Sequence, residues 1–343
     1  MWFVTALICL MGWGCADLFY KKGTDECSAD TSSHLKIAVW VGLVMGICAF
    51  CLIPFSETLT EGGFSLLNLA LLAGRYAPAS VGYIFSMVIG YAGLRYLELS
   101  IISPIQNASG ALSAIVLSVF FILFSDDPLS AISGETGFSF GRPTGIALWN
   151  DLLIAAGILA VIAGVIALAV VEQRLSRAEA RQEAPAAERK YRFGALALLF
   201  PILYCLFDTL GTAADGILLD EEAGLGLGEI DVLIIYGLTF LLAGIVCWLW
   251  MLFRDRRPYN PFAKTERSKG IAALCEEFGQ VFYVYAMAAN PLLAAPMIAS
   301  YCIVSVLLSR IFLKERLRRS QTVCVATVIT GIVLLGIAEG LAG

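Results

Sequence analysis

The sequence predicts an all-α integral membrane protein: ten transmembrane helices arranged as two inverted five-helix repeats. Three observations predict it. The residues are 59% hydrophobic and 15% charged, with a mean hydropathy of +0.82, well outside the soluble range. The charges cluster between apolar runs of about 20 residues, the length that crosses about 30 Å of hydrocarbon. The second half also repeats features of the first. Tyr91, Pro104, Ser113 and Phe120 stand at one fixed offset, 192, from Tyr283, Pro296, Ser305 and Phe312.

The expected spans are 2–20, 35–55, 77–97, 99–124 and 147–171, then 193–213, 230–253, 269–289, 291–313 and 320–342. The apolar N-terminus lacks a basic flank before it, which reads as a retained first helix rather than a cleaved leader. Residues 1–171 form the first repeat, 172–192 a basic linker, and 193–343 the second repeat. An odd number of spans per repeat forces the halves into opposite orientations. Val161-Ile162-x-Gly164 matches Val328-Ile329-x-Gly331 at an offset of 167 instead of 192, so the first half carries 25 extra residues. They fall at about 125–149, rich in Gly, Ser, Asp and Pro, and read as a surface loop. Phe64 to Leu72 is apolar but too short to cross; an interfacial helix is the first reading, an extension of the third span the second.

Topology follows from Lys and Arg. The linker, the connection at 254–269 and the connection closing the ninth span, together with Lys21, Lys22, Lys36 and Arg95, hold 21 of the 23 basic residues. All of them lie on one side of a ten-span chain. The positive-inside rule makes that side cytoplasmic and puts both termini outside. Cys48 and Cys51 form a C-x-x-C within an apolar span, where Cys packs as a small hydrophobe.

The pattern resembles the ten-helix EamA-type branch of the drug/metabolite transporter superfamily. The matching features are the inverted five-helix repeat, Asn290-Pro291 opening the ninth span, Pro296 one turn later, Glu315 at its end, and Gly331 in the tenth. Where the family often closes the fourth span with an acid, Leu123 stands opposite Glu315. Many members are assigned both termini inside, opposite to the present charge count. The resemblance implies a secondary transporter whose central cavity is lined by the first, third, fourth, sixth, eighth and ninth spans.

An ionisable side chain deep in a span costs about 3 kcal/mol or more, so each one needs a reason. Asp17 lies one turn after Trp13, and Asp208 one turn after Tyr204. A carboxylate beside a ring face suits a cation. Two plainer readings stand beside this one: Asp17 paired with Lys21 at i+4, and Asp208 bonded to a neighbouring helix. Glu276 and Glu277 point about 100° apart around the eighth span. Only Glu276 shares a wholly polar stripe, with Gln280 and Tyr283, so Glu276 is aimed at the cavity and Glu277 at a neighbouring helix. Asn107, with Ser103, and Tyr301, with Ser305, lie on comparable stripes of the fourth and ninth spans. Small and hydroxyl residues there also serve ordinary helix packing. Pro104 and Pro296 are expected to kink their helices and free carbonyls toward the cavity.

The substrate-binding candidates are therefore Trp13, Asp17, Asn107, Tyr204, Asp208, Glu276, Gln280, Tyr283 and Tyr301. The only histidine, His34, sits in a polar loop, which argues against a His-based metal site. No phosphate loop, nucleophile motif or nucleic-acid stripe appears, so neither an enzyme nor a cofactor is expected. The reading is a plasma-membrane secondary permease for a small polar metabolite, a cationic or zwitterionic amine or amino acid, with proton coupling through a cavity carboxylate. A permease of sugars or other neutral metabolites is the alternative of the same fold. A membrane-embedded lipid-modifying enzyme is the alternative from another class.

Overall fold

The computed structural model describes residues 2–26, 32–60, 65–96, 99–124, 146–182, 199–220, 224–225, 227–255, 259–313 and 319–342. They form α1 (Trp2–Asp25), α2 (Ser33–Leu52), α3 (Leu66–Gly93), α4 (Leu99–Gln106), α5 (Ser109–Phe124) and α6 (Ile146–Gln182). The second half holds α7 (Leu199–Leu218), α8 (Glu229–Asp255), α9 (Arg267–Ala289), α10 (Pro291–Ala299), α11 (Tyr301–Leu313) and α12 (Arg319–Ala342). No strand occurs among the described residues.

Among the described residues, six segments are long and apolar enough to cross a membrane: Trp2–Asp25, Ser33–Phe55, Leu148–Leu168, Glu229–Arg254, Pro291–Phe312 and Arg319–Ala338. The helices α3, α7 and α9 are not among them, because their inward faces carry Tyr, Ser, Asp and Glu. Apolarity alone therefore marks six candidate crossings among the described residues.

The apolar stretch Phe64 to Leu72 is not a separate interfacial helix. The Ser65 hydroxyl accepts from the Asn68 N–H and starts α3 at Leu66, and the helix then runs unbroken to Gly93. Leu66, Leu67 and Leu71 are exposed on its outer face, where lipid would cover them. The fifth span also outruns its expected end. With no Gly or Pro after Gly164 until Pro185, α6 continues to Gln182, roughly 55 Å at 1.5 Å per residue. The loop expected at 125–149 and the rest of the linker lie mostly outside the described residues, as does Glu315.

Both prolines sit where a helix breaks. Pro296 has no N–H to give the carbonyl one turn back. Four residues later Ser300 turns its N–H to Met297 at i−3, and α10 gives way to α11. Pro104 precedes a similar break, where Ala108 bonds Ile105 at i−3 and the Asn107 amide takes the Ser103 carbonyl at 2.7 Å. Asn290 caps α10 by accepting from the Leu293 N–H at 3.0 Å, and Pro291 fills the first helical position.

Glycines allow the closest crossings. A Cβ on Gly12 would fall 3.0 Å from Gly279 Cα, where α1 crosses α9, and one on Gly82 3.1 Å from Gly211 Cα, where α3 crosses α7. Gly42 and Gly237 set α2 on α8, each with a backbone carbonyl 2.4 Å from where its Cβ would stand. Gly157, Gly164 and Gly331 do the same for α6 and α12. Small residues at such crossings are how helices pack where no hydrophobic force separates protein from solvent.

At the basic end, Lys269 is fully buried and pairs with Glu266 at 2.7 Å, which also takes Lys36 at 3.6 Å. A charge this deep is stable because it is paired. Gly23 leaves room for it, since a Cβ there would meet the Lys269 stem at 2.8 Å.

Candidate functional site

Four aromatic side chains divide the interior. Trp13 of α1 stacks on Tyr283 of α9 at 5.1 Å and on Tyr83 of α3 at 6.1 Å, and meets Tyr301 of α11 edge-on at 5.7 Å. Its indole N–H donates to the Glu276 carbonyl at 3.2 Å. Gly279 brings α9 close enough for this, because a Cβ there would lie 2.3 Å from the indole. Trp13, Tyr83, Tyr204 and Tyr301 line two cavities at once and form the partition between them.

The first cavity holds Asp17 and Glu276 with Tyr20, Tyr91 and Gln106. Asp17 is not paired with Lys21. Its Oδ2 accepts from Ser103 and Ser305, each at 2.8 Å, so the two broken spans converge on one carboxylate oxygen. Lys21 instead reaches Asp25 at 3.1 Å and the Leu94 carbonyl at 2.9 Å. Glu276 is 3% exposed and accepts from the Tyr83 hydroxyl at 2.6 Å. Glu277, its neighbour in sequence, turns to α2, toward Cys48. Cys48 and Cys51 are free thiols.

The second cavity lies where the helix breaks meet and holds Asp208, Asn107, Ser109, Thr212 and Tyr283. Asp208 accepts from Ser109, the first residue of α5, at 2.6 Å. A carboxylate at that position faces the positive end of the half-helix. Gly110 lets the two broken spans touch, since a Cβ there would sit 2.3 Å from that of Ala299. Neither lining contains Lys, Arg or His among the described residues.

Of the nine candidate residues, eight line one or both cavities. Gln280 does not. It is 1% exposed, outside both linings, and neither atom of its amide has a partner.

The sequence reading missed Asp215. It is 1% exposed and accepts from three tyrosines, Tyr76 of α3, Tyr236 of α8 at 2.6 Å and Tyr283 of α9 at 2.7 Å. The available signal was its spacing of seven from Asp208, which puts both acids on one face of α7. Tyr283 thus joins the partition to this cage: its ring stacks on Trp13 and its hydroxyl holds Asp215.

The lining side chains come from α1, α3, α4, α5, α7, α9, α10 and α11, which are the six spans named for the cavity. A model of the EamA-like transporter family matches residues 222–337. The match spans α8 to α12, less than half of the chain. The family suggests a membrane transporter, and six helices among the described residues are long and apolar enough to cross a membrane. No curated protein matches the chain by sequence. A solved structure, described only as a crystal structure of a protein, is similar to it with a TM-score of 0.52 and 12% identity, over 96% of this chain and 98% of that one. At that identity the likeness speaks for the fold alone.

Proposed function

We propose that this EamA-type protein is a plasma-membrane secondary permease for a small cationic or zwitterionic amine, working by alternating access of two inverted five-helix repeats. The observation that carries the substrate class is charge: Asp17, Glu276 and Asp208 line the cavities and no basic side chain answers them there. An ammonium group supplies the missing charge, and the ring faces of Trp13 and the tyrosines favour it further.

Packing supports the repeat. Exchanging the first half for the second turns the α1–α9 contact into the α7–α3 contact, each made through facing glycines, and returns α2–α8 and α6–α12 to themselves. Two carboxylate sites on either side of one aromatic partition suit a substrate passed from Asp17 to Asp208. A carboxylate that takes up a proton as the substrate leaves would couple the two fluxes.

The purified protein tests the reading directly by thermal shift against amines, amino acids, sugars and nucleosides. An amine or amino acid is expected to raise the midpoint of unfolding, because a ligand that binds only the native state stabilises it. Stabilisation by a sugar or nucleoside, with none by any amine, overturns the cationic reading and leaves the neutral-metabolite permease.

Orientation is a second expectation. Lys21 bonds the end of α3, and Lys36 and Lys269 share Glu266, so basic residues of two connections and the end of α3 meet at one end. With that end cytoplasmic, a reporter fused after Gly343 is active outside the cytoplasm. A cytoplasmic signal reverses the orientation.

A further inference from the structure

We infer that Gln106 makes the first cavity select cations that carry a neutral hydrogen-bond acceptor beside the amine, such as an amide or hydroxyl, over both plain amines and zwitterions. The inference rests on the cationic reading above and narrows it.

Gln106 closes α4 just before the helix break, is 5% exposed, and lines the cavity with Asp17 and Glu276. Its Nε2 has no hydrogen-bond partner. A buried amide donor without an acceptor is costly, and a ligand that satisfies it recovers that cost on binding. The fold makes room for the amide itself. Gly90 lies against the amide, and a Cβ there would stand 2.8 Å from Nε2 and 2.6 Å from the Tyr204 ring.

The surrounding charge decides which acceptor fits. The same cavity presents two carboxylates and no Lys, Arg or His. An ammonium group is drawn to Asp17 and Glu276, whereas a substrate carboxylate meets like charge with nothing basic to offset it. A neutral carbonyl or hydroxyl meets no such repulsion and accepts from Gln106. The aromatic walls, Tyr20, Tyr83, Tyr91 and Tyr204 among them, set the rest of the shape.

Three probes with one ring and one amine separate the cases: phenethylamine, phenylalaninamide and phenylalanine, titrated into the full-length protein in nanodiscs. Phenylalaninamide is expected to bind about tenfold more tightly than phenethylamine, the scale of one satisfied buried donor. Phenylalanine is expected to bind no more tightly than phenethylamine. In Gln106→Leu the amide's advantage over phenethylamine disappears, with the variant's thermal unfolding midpoint reporting separately that it is folded. Gln106→Met, unbranched and of similar length, gives the same result if Leu is not accommodated. Equal affinity of the two amines in the native protein, a preference for phenylalanine, or an advantage that survives both variants overturns the role of Gln106 and leaves the cationic reading standing. Absence of binding by all three probes overturns both.

Discussion

Glu276→Gln is expected to reduce transport to background while Glu277→Gln keeps most of it. The substitution is nearly isosteric. The amide oxygen of Gln can still accept from Tyr83, and the Trp13 indole bonds the Glu276 backbone carbonyl, which the change leaves in place. What goes is the negative charge and the ability to take up and release a proton in a cavity with no basic side chain. Glu277 differs only by a turn of about 100° around α9, yet it faces Cys48 on α2. Initial uptake in proteoliposomes, at matched protein content, measures the contrast. Equal losses in the two variants, or native uptake in Glu276→Gln, would show that the polar stripe of α9 does not decide which acid works.

Asp17→Asn is expected to weaken binding of a cationic amine by about 1.5–3 kcal/mol, roughly 10- to 150-fold in Kd, the range of a charge-assisted hydrogen bond. Ser103 and Ser305 both engage Oδ2, so Oδ1 takes no protein donor among the described residues and is free for an ammonium group. Asn keeps an oxygen for the serines, which confines the change to charge. Asp208→Asn is expected to fall in the same range when the site facing the other way is the one occupied. Trp13→Phe should cost less, about 0.5–2 kcal/mol, because a cation–π contact is the smaller term and a ring remains. Titration of phenethylamine by calorimetry reads all three. Should Asp17→Asn bind the amine as tightly as the native protein, the carboxylate is a structural acceptor for two serines and not a substrate contact.

The architecture constrains how these variants act. Asp17 collects hydroxyls from both broken spans, and Asp208 sits against the first residue of α5. A change at either acid therefore touches the elements that the helix breaks free to move. Binding and transport need not change in proportion, and the two measurements above separate them.

The sequence by itself determined what is local. Hydropathy placed six candidate membrane helices, because about 20 apolar residues in a row have few other uses. Pro104 and Pro296 marked the helix breaks, because a missing N–H acts within one turn. The stripe through Glu276 and Tyr283 and the Trp13–Asp17 pair placed those residues on helix faces that do line the cavities. Local rules misjudged the stretch before α3, where one Ser65 cap outweighed an apolar run that read as interfacial. They also stopped α6 at the first charges, although Glu, Gln, Arg and Ala continue a helix well.

Only the tertiary structure decided the pairings. Asp215 gains its meaning from tyrosines on α3, α8 and α9, separated from it by as many as 139 residues. No window on α7 contains that cage. Lys269, which reads as a flanking charge, is buried because Glu266 and the missing side chain of Gly23 make a place for it. Gln106 and Gln280 look alike in sequence, polar residues on helices of the cavity. Packing leaves the unpaired amide of one at the cavity wall and closes the other in behind it. Which polar groups find partners depends on the neighbours that a helix face meets, and most of those neighbours lie on other helices.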